Sequence, residues 1–253
     1  MTNLTLDIGN SVSKIDIWNG ETLLFHENSN NLSIEEILKL IEKFNVSSSI
    51  ISEVGKENKE LKIFLKELLG DNFIEFRPEF LLGHHIHYSS QLGVDRLAAF
   101  LGAIELYPDI PLLIVDAGTA LTVDIVNREG DFCGGNISLG LASRLKAIHE
   151  MTSRLPEVSA EGFTSMFGND TESALRNGAV NGIVGEIIFD FNNARNLYGC
   201  ETILFTGGDA PKIIPVVEKE GVACEYDKYL VSRGLNYFMG KTLALKQTHR
   251  FVD

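Results

Sequence analysis

The chain carries one short pattern twice, and this repeat constrains the fold more than any other feature of the sequence. An apolar run ends in Asp7-Ile8-Gly9, a turn follows, and an alternating segment closes with Asp16-Ile17. The same order returns as Asp116-Ala117-Gly118 and closes with Asp124-Ile125, with one residue fewer between the two aspartates. Such a repeat indicates an internal duplication, so we expect two similar lobes, each opening with two strands joined by a tight turn.

Strand and helix patterns alternate along both copies, which predicts an α/β fold. The segment from Ser33 to Phe44 has apolar positions at helical spacing, with Ser33 in the N-cap position and Glu36 three residues later. A second helical pattern, Lys59–Leu69, lies between short β-type runs at 49–52 and 73–76. We therefore expect a mixed or parallel sheet with helices packed on it.

Two prolines near the middle of the chain, Pro108 and Pro111, interrupt these patterns. They predict an N-terminal lobe of residues 1–110 and a C-terminal lobe of residues 111–253. Ligands of two-lobed proteins usually lie between the lobes, so we expect the active site in that cleft.

The composition excludes several classes of function. Of the 253 residues, 44% are hydrophobic and 23% are charged, as in ordinary globular proteins, and the net charge of −13 disfavours nucleic acid and anionic lipid as partners. The longest apolar run, Pro111–Val115, is far shorter than the roughly 20 residues that cross a bilayer, and the N-terminus lacks a signal-peptide pattern. The three cysteines (Cys133, Cys200 and Cys224) are widely spaced, which favours reduced thiols. We expect a cytoplasmic protein without nucleic-acid or membrane partners.

The turn after Asp7 is consistent with two interpretations. Glycine lets backbone N–H groups approach phosphate oxygens, Lys14 adds positive charge, and the Asp7 carboxylate suits a metal ion. An ordinary hairpin turn uses the same residue types. The second copy at Asp116–Thr119 favours the phosphate-binding interpretation, because two such turns can hold a nucleotide and a metal between them.

Two further motifs also have two interpretations each. The Thr-Gly-Gly-Asp-Ala segment at Thr206–Ala210 joins an apolar strand to a helix, which fits either a bound ligand or a close-packed turn. Asp95 and Arg96 begin a helical pattern, where Asp95 fits an N-cap and Arg96 a solvated charge. The functional alternative makes the carboxylate a general base and the guanidinium a clamp on a substrate carboxylate.

Together these motifs resemble type III pantothenate kinases, members of the actin, sugar-kinase and Hsp70 nucleotide-binding superfamily. The resemblance covers nearly the whole chain and implies the duplicated two-lobe actin-like ATPase fold, of the ribonuclease H-like type. It rests on six motifs in order: Asp7–Asn10, Gly93–Arg96, Val115–Thr119, Gly134–Gly140, Thr152–Pro156 and Thr206–Asp209.

The resemblance also implies roles for individual residues. Asp95 matches the proton acceptor, Asp116 matches the ligand of a monovalent cation (K⁺ or NH₄⁺), and Thr119 matches an ATP contact. The implied ATP phosphate loop comprises Asp7, Ile8, Gly9, Asn10, Ser11, Val12, Ser13 and Lys14. The implied pantothenate contacts are Tyr88, Gly93, Val94, Asp95, Arg96 and Thr171.

Three positions qualify the resemblance. Ser11 stands where the family usually has threonine, which keeps the hydroxyl. Leu139 stands where the family usually has proline, which puts in doubt how firmly that loop is set. Thr171 also fits a helix N-cap, because a long helical stretch follows it.

The resemblance implies a homodimer in which Thr171 reaches the pantothenate pocket of the partner chain. Between Glu172 and Tyr198, an apolar stripe at helical spacing fits the dimer interface, but a lone lobe can equally bury such a stripe in its own core. The stripe comprises Ile183, Val184, Ile187, Ile188 and Phe191.

The expected function is ATP-dependent phosphorylation of the primary hydroxyl of pantothenate to 4′-phosphopantothenate, the first step of coenzyme A biosynthesis. Phosphoryl transfer depends on positioning and charge neutralisation, so we expect Mg²⁺ and a monovalent cation to act beside Lys14 and Arg96. Two alternatives remain. One is another small-molecule kinase of the superfamily, whose neutral sugar would give Arg96 no carboxylate to bind, and the other is a non-catalytic nucleotide-binding regulator.

Overall fold

In a computed structural model the chain folds into two compact units. Unit 1 comprises Met1–Pro108 and the segment that begins at Tyr229, and unit 2 comprises Asp109–Lys228. The structure describes residues 1–9, 12–54, 57–77, 83–89, 91–162 and 166–249. No helix within these ranges is long and apolar enough to cross a membrane.

Unit 1 is built on a five-stranded sheet. Its strands are β1 (Thr2–Ile8), β2 (Ser13–Asn19), β3 (Thr22–Ser29), β4 (Ser48–Glu53) and β5 (Phe73–Glu75). They lie in the order β3-β2-β1-β4-β5. The β1 strand pairs antiparallel with β2 and parallel with β4, so the first hairpin lies at the centre of the sheet.

Among the described residues, three α-helices accompany this sheet before the chain enters unit 2. They are α1 (Ile34–Phe44), α2 (Lys59–Leu69) and α3 (Val94–Leu106). The predicted capping box of α1 is confirmed: Ser33 Oγ accepts the Glu36 N–H at 3.2 Å, and Glu36 Oε2 accepts the Ser33 N–H at 3.4 Å. The α1 and α2 helices bury apolar side chains against Leu4 and Leu6 of β1, which forms the core on one face of the sheet.

Unit 2 repeats the plan of unit 1. Its strands are β6 (Leu112–Ala117), β7 (Ala120–Val126), β8 (Phe132–Leu139), β9 (Thr202–Thr206) and β10 (Ala223–Tyr226), and its helices are α4 (Leu141–Met151), α5 (Thr171–Tyr198) and α6 (Ala210–Val217). The strand order is β10-β9-β6-β7-β8. Read from the β8 edge, it is the order of unit 1, with β6 to β10 in the places of β1 to β5. The β6 strand again pairs antiparallel with the next strand and parallel with the fourth. The predicted duplication and the α/β class are confirmed.

The last helix, α7 (Leu230–His249), follows the sheet of unit 2 in sequence but packs in unit 1. A Cβ added at Gly234 would lie 1.8 Å from the Ala98 carbonyl oxygen of α3, so only glycine permits this close approach of the two helices. The predicted C-terminal lobe of 111–253 includes the segment that begins at Tyr229, but this segment belongs to unit 1. The prolines mark the first crossing between units, whereas the return at Tyr229 depends on long-range packing and leaves no local signal.

The apolar stripe of α5 lies in the core of unit 2. Ile183, Ile187 and Phe191 are at most 2% exposed and belong to one buried cluster with Val115 and Phe205 of the sheet. The interpretation of this stripe as a dimer interface is therefore wrong, and the core interpretation is confirmed.

The N-cap of α5 is the residue before Thr171. Asp170 Oδ1 accepts the Ser173 N–H at 2.8 Å, and the helix begins at Thr171 itself. The N-cap interpretation of Thr171 is thus wrong by one position, which leaves its exposed side chain without a capping role.

Candidate active site

The first hairpin brings an acid and a cation together next to its turn. Asp7 and Lys14 are paired in the antiparallel register, and Lys14 Nζ lies 3.3 Å from Asp7 Oδ2. Asp7 is 7% exposed, and this burial raises the pKa of its carboxyl, an effect that the Lys14 ammonium opposes. Burial of a carboxylate costs free energy of desolvation. A buried acid such as Asp7 is therefore more typical of a functional site than of a stabilising ion pair.

The rest of the predicted phosphate loop joins the two strands. Ile8 is the last residue of β1, Ser13 is the first of β2, and the two are paired across the hairpin. Gly9 and Val12 lie between them, and Asn10 and Ser11 lie outside the described residues.

Asp95 lies in the first turn of α3, close to Asp7. The helix has Gly93 as its N-cap, without a side-chain hydrogen bond, and Val94 as its first residue. Asp95 Oδ1 accepts the Arg96 N–H at 2.8 Å, which places the carboxylate at the positive end of the helix dipole. Its charge is near enough to raise the pKa of Asp7. The N-cap interpretation of Asp95 is therefore wrong, and the predicted base lies beside the first hairpin.

Arg96 is buried rather than solvated. It is 5% exposed, its Nη1 donates to the Tyr88 hydroxyl at 3.3 Å, and its Cζ lies 4.9 Å from the centroid of that ring. Burying a guanidinium costs free energy unless polar, anionic or aromatic groups compensate it. The solvated-charge interpretation is wrong, and two of the predicted pantothenate contacts are in direct contact with each other.

The second hairpin places an acid against a glycine turn. Asp116 lies beside Thr206 of β9 in the parallel register and opposite Thr122 of β7. Gly207 has a φ of +89°, and a Cβ there would lie 2.4 Å from Asp116 Oδ1 and 2.5 Å from the Ala117 carbonyl oxygen. Only glycine lets these two oxygens converge at the turn. The close packing of this motif is confirmed, and ligand binding by it stays a prediction.

The loops around Thr119 are firmly tied. Thr119 is exposed in the turn between β6 and β7, and its carbonyl oxygen accepts the Gly140 N–H at 3.0 Å and the Ser143 hydroxyl at 2.7 Å. The Leu139 carbonyl oxygen accepts the Arg144 Nε–H at 2.7 Å. The leucine at position 139 therefore leaves the loop anchored on both sides.

The first hairpin also carries a buried polar cluster that the sequence patterns did not indicate. Asp16 is 1% exposed, and its Oδ1 lies 2.6 Å from His26 Nδ1. Ser232 of α7 pairs with the Thr5 hydroxyl at 2.7 Å and accepts the Trp18 Nε1–H at 2.9 Å. Alternation along β2 is the signal that places Asp16 and Trp18 on one face. Nothing local in the sequence shows that α7 covers that face.

The described residues of the two hairpins include no cluster of metal-binding side chains. Among the described residues, no group of three or more His, Cys, Asp and Glu side chains is placed to hold a metal ion. A cation at either hairpin would combine one carboxylate with backbone or substrate oxygens, which are ligands that hard cations accept. Asp7 and Asp116 are the carboxylates placed for this.

Known sequences match this chain over most of its length. The family model for type III pantothenate kinase matches residues 3–188. A type III pantothenate kinase of Azobacteroides pseudotrichonymphae is 34% identical over 92% of this chain and 94% of its own length. One from Phocaeicola vulgatus is also 34% identical, over 92% of this chain and 96% of its own length.

Solved structures share the fold. A proposed Baf family transcriptional activator from Campylobacter jejuni is 28% identical, with a TM-score of 0.61 over 95% of this chain and 99% of that one. A proposed N-acetylmannosamine kinase from Listeria monocytogenes is 15% identical, with a TM-score of 0.60 over 97% and 100%, and shows likeness of fold alone. The extent of the family model and the identity to full-length relatives together decide the assignment: the chain belongs to the type III pantothenate kinase family.

Proposed function

We propose that Asp95 is the general base of the pantothenate kinase reaction and that the residues beside it bind the acceptor. As a member of its family, the chain is an ATP-dependent kinase that phosphorylates the primary hydroxyl of pantothenate, the first step of coenzyme A biosynthesis. The observation that carries the assignment is the position of Asp95 at the start of α3, beside the Asp7–Lys14 pair. A carboxylate there can accept the hydroxyl proton as the oxygen attacks the γ-phosphorus.

Arg96 and Tyr88 supply the contacts for the acceptor. Pantothenate carries a carboxylate, and a guanidinium can bind a carboxylate through two parallel hydrogen bonds. The hydroxyl and ring of Tyr88 fix the guanidinium, so less side-chain freedom is lost when the acceptor binds. We assign Gly93 and Val94, which precede Asp95 on the same helix start, to this pocket, together with Thr171 of the partner subunit.

The first hairpin supplies the contacts for the phosphate donor. Backbone N–H groups of the loop from Ile8 to Ser13 and the Lys14 ammonium bind the ATP phosphates. Asp7 fits Mg²⁺, because magnesium takes carboxylate oxygen and completes its shell with phosphates and water. When bound, that ion neutralises charge on the phosphates. Lys14 adds to this effect, which matters in a protein of net charge −13.

Asp116 fits a monovalent cation. Its Oδ1 and the Ala117 carbonyl oxygen converge at the Gly207 turn, and hard oxygen ligands suit K⁺ better than they suit soft metals. The residue opposite Asp116 is Thr122, where the first hairpin has a lysine. We assign K⁺ or NH₄⁺ to this turn as the local positive charge in unit 2, and Thr119 as an ATP contact.

The acceptor assignment is tested with two acceptors that differ only in the carboxylate. ADP release is measured with pantothenate and with pantothenyl alcohol, which keeps the hydroxyl. The wild-type enzyme is expected to prefer pantothenate in kcat/KM by about 10- to 100-fold, the size of a lost charged hydrogen bond. Arg96→Gln is expected to lose this preference, whereas Tyr88→Phe keeps most of it. Equal use of both acceptors by the wild-type enzyme would overturn the role of Arg96.

We also assign a homodimer, formed through the exposed edge of the unit 2 sheet. The β8 strand is an edge strand, and its Ile137 is 60% exposed. Phe189 of α5 is 68% exposed and lines the same groove, of about 340 Å³, together with Asn136 and Glu186. Apolar patches and open strand edges mark interaction surfaces. The family resemblance makes a second copy of this chain the expected occupant.

Light scattering tests the dimer. The wild-type mass is expected at twice the 27.9 kDa of one chain. Phe189→Ser is expected to shift the mass towards the monomer, whereas Leu197→Ser, on the same helix and 74% exposed, lies outside the groove and is the control. A fully active wild-type monomer would contradict both the dimer and the action of Thr171 in the partner's pocket.

The cysteines support a cytoplasmic location. Cys133, Cys200 and Cys224 are free thiols, and burial raises the pKa of the last two to about 11. Protonated, unpaired thiols are typical of a reducing compartment. Recovery of the active enzyme outside the cytoplasmic fraction would contradict this location.

A further inference from the structure

One face of the first hairpin carries a buried row of polar residues that leads away from the proposed active site. Side chains alternate along a strand, so every second residue of β1 and of β2 belongs to this face. The other face is apolar and packs on α1 and α2. In register, the row pairs Asp7 with Lys14, Thr5 with Asp16, and Asn3 with Trp18.

Helix α7 covers this row with its own polar side chains. Ser232 is 2% exposed, pairs with the Thr5 hydroxyl at 2.7 Å and accepts the Trp18 Nε1–H at 2.9 Å. Further along the helix, Asn236 Oδ1 accepts the Asn3 Nδ2–H at 2.8 Å. Buried polar groups cost free energy unless they are bonded, so these contacts specify how α7 lies on the hairpin.

Asp16 lies at the centre of the row, next to the charged pair of Asp7 and Lys14. It is 1% exposed, and its Oδ1 lies 2.6 Å from Nδ1 of His26 on β3. The His26 ring packs edge-on against Tyr229, with centroids 4.8 Å apart. Burial raises the pKa of Asp16, and hydrogen bonds from Ser232 and His26 oppose that rise. The carboxyl group is thus held from two directions.

Lys14 lies between two buried carboxylates on this face. It contacts Asp7 directly, at 3.3 Å, and its charge also opposes the rise in the pKa of Asp16, two residues along β2. An ammonium attracted by Asp7 alone would neutralise the carboxylate that the phosphate donor and its cation require. A second, fixed carboxylate two residues along β2 would also attract the ammonium and so leave more of the Asp7 charge available.

We infer that Asp16 is a positioning residue for the donor side of the reaction, because it is fixed by His26 and Ser232 and in turn sets the ammonium of Lys14 relative to Asp7. The inference rests on the proposed role of Lys14 in binding ATP. Ser232 lies outside residues 3–188, the part of the chain that the family model matches. The last helix therefore contributes to the donor site through a side chain that never touches the substrate.

The test is a double-mutant cycle with Asp16→Asn and Lys14→Met, read as KM for MgATP at saturating pantothenate. Asp16→Asn keeps the side-chain shape and removes its charge. It is expected to raise KM for MgATP by about 3- to 30-fold, the usual range for coupled residues in one network. KM for pantothenate is expected to stay unchanged, because the acceptor contacts lie at the start of α3. In the Lys14→Met background the same substitution is expected to have no further effect.

The outcomes separate this inference from the proposed function. An equal rise in KM in both backgrounds indicates a structural role for Asp16, and no rise in the wild-type background indicates no role. Either result overturns the inference and leaves the base and acceptor assignments standing. If Lys14→Met alone leaves KM for MgATP at the wild-type value, the donor role of Lys14 fails and the inference fails with it.

A second pair of variants covers a failure of Asp16→Asn to fold. Ser232→Ala removes one of the two groups that fix Asp16, so a smaller rise in KM for MgATP is expected, again only when Lys14 is present. Ser49→Ala is the matched control, because Ser49 on β4 is fully buried and its hydroxyl has no hydrogen-bond partner among the described residues. Equal KM values for the two serine variants would overturn the inference.

Discussion

The two hairpins share one strand order but place charge differently. In unit 1 the buried Asp7 faces Lys14 across the hairpin, whereas in unit 2 the half-buried Asp116 faces Thr122. The first hairpin carries its own cation, and the second presents carboxylate and carbonyl oxygens at the Gly207 turn. The duplication thus keeps the backbone plan while the side chains at matching positions take on different electrostatic tasks.

The surroundings of the hairpins differ as well. The face of β1 that bears Asp7 continues through the polar Thr5 and Asn3, which bond to α7, whereas the face of β6 that bears Asp116 continues through the buried apolar Ile114 and Leu112. Substitutions near the first hairpin therefore act on charge and hydrogen bonding. We expect those near the second to act on backbone geometry and on the proposed cation site.

The largest effect is expected at Asp95, beside the first hairpin. Asp95→Asn removes the proposed proton acceptor and keeps the side-chain shape, so kcat is expected to fall by about 10²–10⁴-fold. The thermal unfolding midpoint, measured in parallel, is expected to stay near the wild-type value because the residue is only half-buried. Wild-type turnover by the folded variant would show that Asp95 is not the general base.

Asp7→Asn is expected to lower activity and raise stability at once. Burial raises the folded-state pKa of Asp7 above the ordinary value of 3.8, so the native state holds this proton more tightly than the unfolded chain. The contribution of Asp7 to stability therefore falls as the pH rises through that window, and the amide avoids the loss. We expect kcat/KM for ATP to drop by about 10²-fold, the usual scale for a lost electrostatic contact, while Tm at pH 7 increases.

A matched comparison with the second hairpin sharpens this expectation. Asp116→Asn replaces a half-buried carboxylate and is expected to leave Tm nearly unchanged. The Tm advantage of Asp7→Asn over the wild-type protein should also shrink as the pH falls towards 4. A lower Tm for Asp7→Asn at pH 7 would mean that its pairing with Lys14 outweighs the cost of burial.

Asp116→Ala tests whether K⁺ or NH₄⁺ binds at Asp116 and supplies positive charge in unit 2. The wild-type enzyme is expected to be more active in K⁺ or NH₄⁺ than in Na⁺ at equal ionic strength. The variant is expected to lose this dependence and to show the Na⁺ level of activity in all three salts. Cation dependence that survives the substitution would place the cation site elsewhere.

The smallest effect is expected at the Gly-Gly turn, where Gly208 provides a matched control for Gly207. Gly207→Ala introduces a Cβ at a positive φ, 2.4 Å from Asp116 Oδ1, and is expected to destabilise the protein by about 1–3 kcal/mol and to weaken the K⁺ response. Gly208→Ala meets nothing within 4 Å and is expected to be near neutral. Urea unfolding of both variants compares them directly, and equal stability would show that the turn tolerates a side chain.

Local signals predicted most of the fold. The capping box at Ser33 and the two repeated strand pairs depend on residues a few positions apart, so the sequence indicates them, and both are confirmed. The packing of α7 on α3 depends on residues far apart in the chain, such as Ala98 and Gly234. Periodicity cannot show such contacts, because a helix pattern does not say which sheet it will cover.

The candidate site shows the same limit. Residue types and family resemblance brought Asp7, Asp95 and Asp116 to notice, but Asp16 looked like one more polar position on an alternating strand. Its importance comes from Ser232 and His26, which reach it from α7 and β3. Sequence alone can identify charged residues that meet the substrate more readily than those that act through a neighbour.

Identification of the phosphorylated product tests most directly that this chain phosphorylates pantothenate. The full-length protein is incubated with MgATP, K⁺ and one acceptor at a time (pantothenate, glucose or N-acetylmannosamine), and products are identified by mass spectrometry. We expect 4′-phosphopantothenate and an equal amount of ADP, with no sugar phosphate. A sugar phosphate, or ADP without phosphorylated pantothenate, would contradict the assignment as a pantothenate kinase.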